Sequence, residues 1–234
     1  MNKFCVVTGG TKGIGKAIIA RFAREGFDIA TCSRNQEELD ALAREVSKTY
    51  GITAYVFRAD MSDKDEVKNF AEYILNLRRP IDVLVNNAGY FVAGNIIDEP
   101  DGVLENMIDT NLYSAYTMTR GVIGRMKENK SGHIFNMCSI ASIIAYPNGG
   151  SYAISKFALM GFSKVLREEL KPFGIRVSAV LPGATFTASW EGVDLPEDRL
   201  MKAEDIADIV YAAHALSGRS VVEEILILPL LGDL

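Results

Sequence analysis

An α/β fold on a doubly wound parallel sheet is predicted by two observations. Short apolar runs alternate with amphipathic stretches from end to end, and most of those runs lack a polar face at every second residue. A strand without a polar face is covered on both sides, which is the situation of parallel strands crossed over by helices. A βαβαβ series of this kind implies right-handed crossovers and helices on both faces.

The first strand, Phe4-Cys5-Val6-Val7, runs into Thr8-Gly9-Gly10-Thr11-Lys12-Gly13-Ile14-Gly15. In the helix that follows, Ile14, Ile18 and Phe22 make an apolar stripe at four-residue spacing, and Gly26 is placed to stop it. Phe27-Asp28-Ile29-Ala30-Thr31 is the second strand. Asn35, with Glu38 three residues later, gives a capping-box-like start to a helix through Tyr50. Ala54-Tyr55-Val56-Phe57 is the third strand, and Ser62 is placed to cap the next helix. Val83-Leu84-Val85 and Ile134-Phe135-Asn136-Met137 are the fourth and fifth strands. Pro147-Asn148-Gly149-Gly150 reads as a turn before the helix of Tyr152. Val177-Ser178-Ala179-Val180-Leu181 and Ile225-Leu226-Ile227-Leu228 complete the set. Pro229 has no backbone donor, so the last strand belongs at the sheet edge or ends there. No Pro/Ser-rich linker, repeat or low-complexity segment divides the chain, and residues 1–234 read as one domain.

Composition narrows the class. Of 234 residues, 48% are hydrophobic, enough for a substantial core. Thirty acidic against 25 basic residues give a net charge of −5, which argues against a nucleic-acid surface. No apolar run approaches the roughly 20 residues of a membrane span, and Met1 to Val7 is too short for a signal peptide. The expectation is a soluble cytoplasmic protein. Cys5, Cys32 and Cys138 lie in apolar runs without CxxC spacing and read as reduced core residues. No clustered His, Cys or carboxylate set suggests a metal. His133 and His214 read as structural.

The strand, glycine turn and helix at the amino end form a dinucleotide site. Gly9, Gly13 and Gly15 allow a tight turn and close backbone approach, while the helix N-terminus offers N–H groups and a positive dipole end to a pyrophosphate. An acidic residue near the end of the second strand would bond a free ribose 2′-hydroxyl. Here Ser33 and Arg34 fill that place, and Lys12 is placed to face the same ribose. Two cations suit a 2′-phosphate, so the charges favour NADP(H) over NAD(H). The weaker alternative is that both are solvated surface charges.

Tyr152 and Lys156 are one helical turn apart and share a face. A phenol, with a reference pKa of about 10, is made a usable acid–base group by a neighbouring ammonium. Ser139 follows the fifth strand, whose carboxyl end opens on the same crevice, and its hydroxyl is suited to orient a substrate oxygen toward Tyr152. Cys138 is adjacent, but strand neighbours point to opposite faces.

Over nearly its whole length the chain resembles the short-chain dehydrogenase/reductase family. The matching elements are the Thr8 to Gly15 turn, Asp60-Met61, Asn86-Asn87-Ala88-Gly89, Asn111, Ser139, Tyr152 with Lys156, and Pro182-Gly183 with Thr187. The resemblance implies a Rossmann sheet with strand order 3-2-1-4-5-6-7. It makes Tyr152 the general acid and Ser139 the group that polarises the carbonyl. Lys156 would bind the nicotinamide ribose and lower the tyrosine pKa, and Asn111 would hold a relay water through its main chain. It places Gly9, Thr11, Lys12, Gly13, Ile14 and Gly15 against the cofactor, with Ser33, Arg34, Asp60 and Met61 around the adenosine. Asn87, Ala88 and Gly89 would border it, and Pro182, Gly183, Thr185 and Thr187 would lie beside the carboxamide. It also implies a homodimer or homotetramer through the helices of Asn111 and Tyr152.

The substrate is less legible. A short lid is expected near 187–201, with Trp190 either a packing residue or a substrate contact. Glu204-Asp205-Ile206-Ala207, Val221 to Ile225 and the terminal Gly232-Asp233-Leu234 resemble bacterial sepiapterin-reductase-type carbonyl reductases. A 3-oxoacyl-carrier-protein (thioester) reductase is the alternative, disfavoured by the lack of a Lys/Arg cluster around the lid. A non-catalytic NADPH-binding redox sensor is the alternative of another class. It would predict a missing Tyr, Lys or Ser, and all three are present.

Overall fold

The computed structural model describes residues 2–187, 196 and 199–233. The described residues form seven strands: β1 Phe4–Thr8, β2 Asp28–Ser33, β3 Ala54–Arg58, β4 Val83–Asn86, β5 Gly132–Met137, β6 Ile175–Pro182 and β7 Glu224–Ile227. The helices are α1 Gly13–Arg24, α2 Gln36–Tyr50, α3 Lys64–Asn76, α4 Val103–Ile108, α5 Ser114–Asn129, α6 Gly150–Leu170 and α7 Ala203–Ala215. The strands form one sheet in the order β3-β2-β1-β4-β5-β6-β7, and every pairing is parallel. The expected order is borne out. So is the edge position of β7, which stops two residues before Pro229.

Alternation along the strands feeds two cores. Cys5 and Val7 of β1, with Val83 and Val85 of β4, join Ile18, Phe22, Leu42 and Val210 on one face. Phe4, Val6 and Leu84 turn the other way, to Phe70, Met118, Val122 and Leu166. Burial on both faces explains why these strands carry no polar period. Each fully buried Phe or Ile contributes roughly 1.5–3 kcal/mol, and the central strands are lined with them. All three cysteines are buried in this interior.

The helix caps follow the sequence in part. Gly26, at a φ of +79°, ends α1 as expected, with its N–H on the Ala23 carbonyl. Asn35 caps α2 by accepting from the Glu38 N–H at 3.2 Å, but the Glu38 carboxylate turns to Lys12 instead of closing a box. The expected cap of α3, Ser62, is displaced by Asp63, which accepts from the N–H groups of Asp65 and Glu66. A carboxylate is the stronger acceptor at a helix N-terminus. Ser62 instead donates its N–H and hydroxyl to Asp60.

Most of the expected lid, Trp190 included, lies outside the described residues. Its two ends are joined: the Phe186 N–H donates to the Met201 carbonyl at 2.8 Å, and the Met201 N–H to the Ala184 carbonyl at 3.0 Å. Among the described residues no helix is long and apolar enough to cross a membrane.

Candidate active site

The carboxyl ends of β1, β4, β5 and β6 meet at one edge of the sheet, and the glycine turn lies there. Gly9 (φ +68°) and Gly13 (φ +52°) take backbone conformations that side chains disfavour. A methyl group on Gly15 would sit 2.4 Å from the Gly9 carbonyl oxygen and 2.5 Å from Asn87 Nδ2. That is the cradle a closely approaching pyrophosphate requires. The start of α1 differs from its neighbours in charge. It has no side-chain cap and no acidic residue in its first turn, whereas α2 and α3 have both. Its first N–H groups are left for an anion.

Asn87 stitches this turn to the next strand. Its Nδ2 donates to the carbonyls of Thr8 and Gly9, both at 3.0 Å, and Thr8 Oγ1 accepts from the N–H groups of Asn87 and Ala88. Thr187 closes over Gly13, where a methyl would meet its Cγ2 at 3.2 Å. Thr185 donates its hydroxyl to the Gly183 carbonyl at 2.9 Å, just past Pro182 at the end of β6.

At the end of β2, Ser33 Oγ accepts from the Asn35 N–H, and Arg34 is exposed beside it. Lys12 Nζ lies 2.9 Å from Glu38 Oε1, which places the ammonium over the β2–α2 corner as its sequence position suggests. Asp60 is held low in pKa despite its burial by bonds from Ser62 and by the charges of Arg34 and Arg58. The Met61 side chain is buried, with Sδ 3.4 Å from Cys32 Sγ, and packs in the core beneath this corner. Ile14 likewise spends its side chain packing against the core.

The other end gathers the catalytic candidates. Helix α6 carries Tyr152 in its first turn and Lys156 in its second. Lys156 is buried, and its Nζ donates to the Met137 carbonyl at 2.7 Å. Burial pushes its pKa down to about 8. The phenol of Tyr152 is pushed up by burial, against a hydrogen bond with the Ser139 hydroxyl that pulls it down. This corrects the expectation that the lysine lowers the tyrosine: among the protein's own groups, desolvation wins. The ammonium is 5.7 Å from the ring centre and is engaged with a carbonyl of β5. Ser139 opens a short 3₁₀ turn and accepts the Ala141 N–H at 3.1 Å, which fixes its hydroxyl. The rings of Phe91 and Tyr152 meet nearly at right angles, with centroids 4.9 Å apart.

Asn111 sits on a π-helical turn, Asp109–Tyr113, between α4 and α5. Such turns recur at functional sites. Its side chain accepts the Tyr90 N–H at 2.9 Å and donates to the Tyr90 carbonyl and to Ser155 Oγ, both at 3.0 Å. A methyl on Gly89 would lie 3.0 Å from Asn111 Oδ1 and 3.5 Å from Lys156 Nζ, so these three residues converge.

Two contacts near the site escaped the sequence reading. Glu99 accepts the Ser151 N–H at 3.0 Å and its hydroxyl as well, and so caps the helix of Tyr152 from a separate loop. Asp233 accepts the Ala184 N–H at 2.7 Å, and its charge disfavours ionisation of Tyr152 and Tyr146. No spacing rule links either to its partner. A cavity of about 540 Å³ lies beyond this cluster, lined by Ile97, Tyr146, Ala153, Ile154 and Phe157. It contains none of the four catalytic candidates.

Comparison with known proteins agrees with this architecture. The sequence profile of the short chain dehydrogenase family matches residues 3–197. A sepiapterin reductase of Chlorobaculum tepidum is 33% identical over 242 aligned positions, covering 100% of this chain and 99% of its own. A 3-oxoacyl-[acyl-carrier-protein] reductase of Thermotoga maritima is 31% identical, covering 89% of each. A metagenomic short-chain oxidoreductase solved with NADP superposes with a TM-score of 0.85 at 31% identity, over 97% of this chain and 96% of that one.

Proposed function

The chain belongs to the short-chain dehydrogenase family, and on that premise we propose that it is an NADPH-dependent reductase of a small-molecule carbonyl. The observation that carries this reading is the convergence of Tyr152, Ser139, Lys156 and Asn111 at the strand edge that also holds the glycine cradle. The whole of 1–234 acts as one NADP-binding unit.

Gly9 to Gly15, Asn87 to Gly89, Lys156 and Pro182 to Thr187 would hold the dinucleotide, with Lys12, Ser33 and Arg34 at the 2′-phosphate. When bound, NADPH supplies the hydride. The protein's part is proton transfer and positioning. A phenol raised by burial stays protonated across neutral pH, so Tyr152 stands ready to give its proton to the alkoxide oxygen that forms on the substrate. The Ser139 hydroxyl, held on its own turn, donates to the same oxygen and stabilises its growing charge. Lys156 is ammonium below about pH 8 and in that form would bond the ribose hydroxyls of a bound cofactor. Asn111 fixes the start of the loop over the crevice and the helix of Tyr152 against each other.

For the substrate, we favour a sepiapterin-like diketone or a similar compact carbonyl compound. Full-length likeness to a sepiapterin reductase supports that. A 3-oxoacyl thioester is the second reading, supported by the Thermotoga relative. The intact catalytic set speaks against a redox sensor. A panel of diketones, 3-oxoacyl thioesters, sepiapterin and quinones, assayed by NADPH absorbance, tests all of these. One compound with kcat/KM far above the rest names the reaction, and no turnover by any of them sinks the enzyme reading. Equal kcat/KM with NADH and NADPH would sink the cofactor assignment.

We place the protein in the cytoplasm and read it as a homodimer or homotetramer. Exposed Tyr113 and Tyr116 at the start of α5, Ile154 and Phe157 on α6, and Ile97 at 90% exposure supply the apolar surface for it. Light scattering decides the state.

A further inference from the structure

The ribose corner holds an acid as well as its cations. Glu38 lies in the first turn of α2, with its Oε1 2.9 Å from Lys12 Nζ. Thr11 bonds the same carboxylate, so two adjacent residues of the glycine turn are tied to one acid on the next helix. Arg58 lies 3.9 Å from Glu66, and the charge of Arg34 is felt at Asp60. The corner thus sets carboxylates among its cations, and Lys12 is the cation held directly by one.

We infer that Glu38 is a specificity-determining residue: its carboxylate holds Lys12 over the corner while repelling a 2′-phosphate, and so moderates the grip on the phosphorylated cofactor. The inference rests on the NADPH reading. Lys12 is 68% exposed and Glu38 34%, so the pair adds little to stability, and neutralising it leaves the fold intact. Glutamine keeps the shape and the acceptor for Thr11 and removes only the charge. A single charge within several ångströms of a dianion in water is worth about threefold in affinity at about 0.15 M salt, and about fivefold or more at about 0.01 M.

The experiment is calorimetric titration of the full-length protein and its Glu38→Gln variant with adenosine 2′,5′-bisphosphate and with 5′-AMP, at both salt concentrations. The bisphosphate should bind the variant about threefold tighter at the higher salt and tighter still at the lower. 5′-AMP should be unaffected. A variant with unchanged or weaker bisphosphate affinity overturns the inference, as does equal weakening of both ligands, which would make Glu38 a brace for the turn. If the unaltered protein binds the two ligands equally, the NADPH reading fails and takes the inference with it. If it prefers the bisphosphate while the variant behaves identically, only the inference fails.

Discussion

Lys156 stands 5.7 Å from the ring centre of Tyr152, yet its ammonium is committed to the Met137 carbonyl at 2.7 Å. The proton donor and its cation are thus neighbours that do not touch. The phenol is kept neutral by burial, and the lysine is loosened by the same burial.

Tyr152→Phe removes the transferable proton and little volume. We expect turnover to fall by about 10²–10⁴-fold, the usual worth of a placed general acid, with NADPH affinity within about twofold of the original as judged by fluorescence titration. Retention of the full rate would remove Tyr152 from the mechanism.

Lys156 titrates at about 8. Above that pH it loses the charge that bonds the ribose, so kcat/KM for NADPH should fall on the alkaline side with an inflection near 8. This parameter reports groups of the free enzyme. Lys156→Arg, which stays charged, should lose that limb even at reduced rate. A profile flat to about pH 9.5 in the unaltered enzyme contradicts the assignment.

His133 and His214 should make the protein acid-sensitive. Burial, then the charge of Arg176, pushes His133 down to about 2 and His214 to about 4, with His214 adding to the first shift and Lys3 to the second. Their folded pKa values lie below the unfolded value of about 6.5. The unfolded chain therefore binds more protons as pH drops below about 6.5, and stability falls. The slope is at most about 1.4 kcal/mol per pH unit for fully buried His133, and His214 adds to it down to about 4. Urea midpoints between pH 7 and 4.5 measure this, and His133→Gln should flatten the curve.

Gly15→Ala would press a methyl against the Gly9 carbonyl and Asn87 Nδ2, the atoms that join the turn to β4. Overpacking of this kind costs about 1–3 kcal/mol. Nucleotide binding should fall more than tenfold by titration while circular dichroism shows the fold retained. Binding at the original affinity would mean that the turn is not the cradle.

The sheet was legible because its causes are local. Val6 and Leu84 are each followed by a valine that faces the other core, and such runs mark strands covered on both faces. The positions of Tyr152, Ser139 and the glycine turn follow from spacing and strand ends. What stayed hidden depends on contacts between distant segments. Glu99 reaches Ser151 across 52 residues, and Asp233 reaches Ala184 across 49. The acidity of Tyr152 was misjudged because sequence shows a lysine one turn away but not how deeply the phenol is buried. Ser62 lost its cap to the very next residue, a contest between two good cappers that propensity does not decide.

Asn111 offers both ends of one amide to the N–H and the carbonyl of Tyr90, as a neighbouring strand would. The root of the segment from Tyr90 to Gly102 is thereby anchored to the helix layer, while its tip, from Phe91 to Ile97, is largely solvent-facing. The segment is therefore not uniform as a target for altered selectivity: exposed Val92 and Ile96 can be exchanged, whereas Phe91 rests on the Tyr152 ring and Glu99 holds the start of its helix.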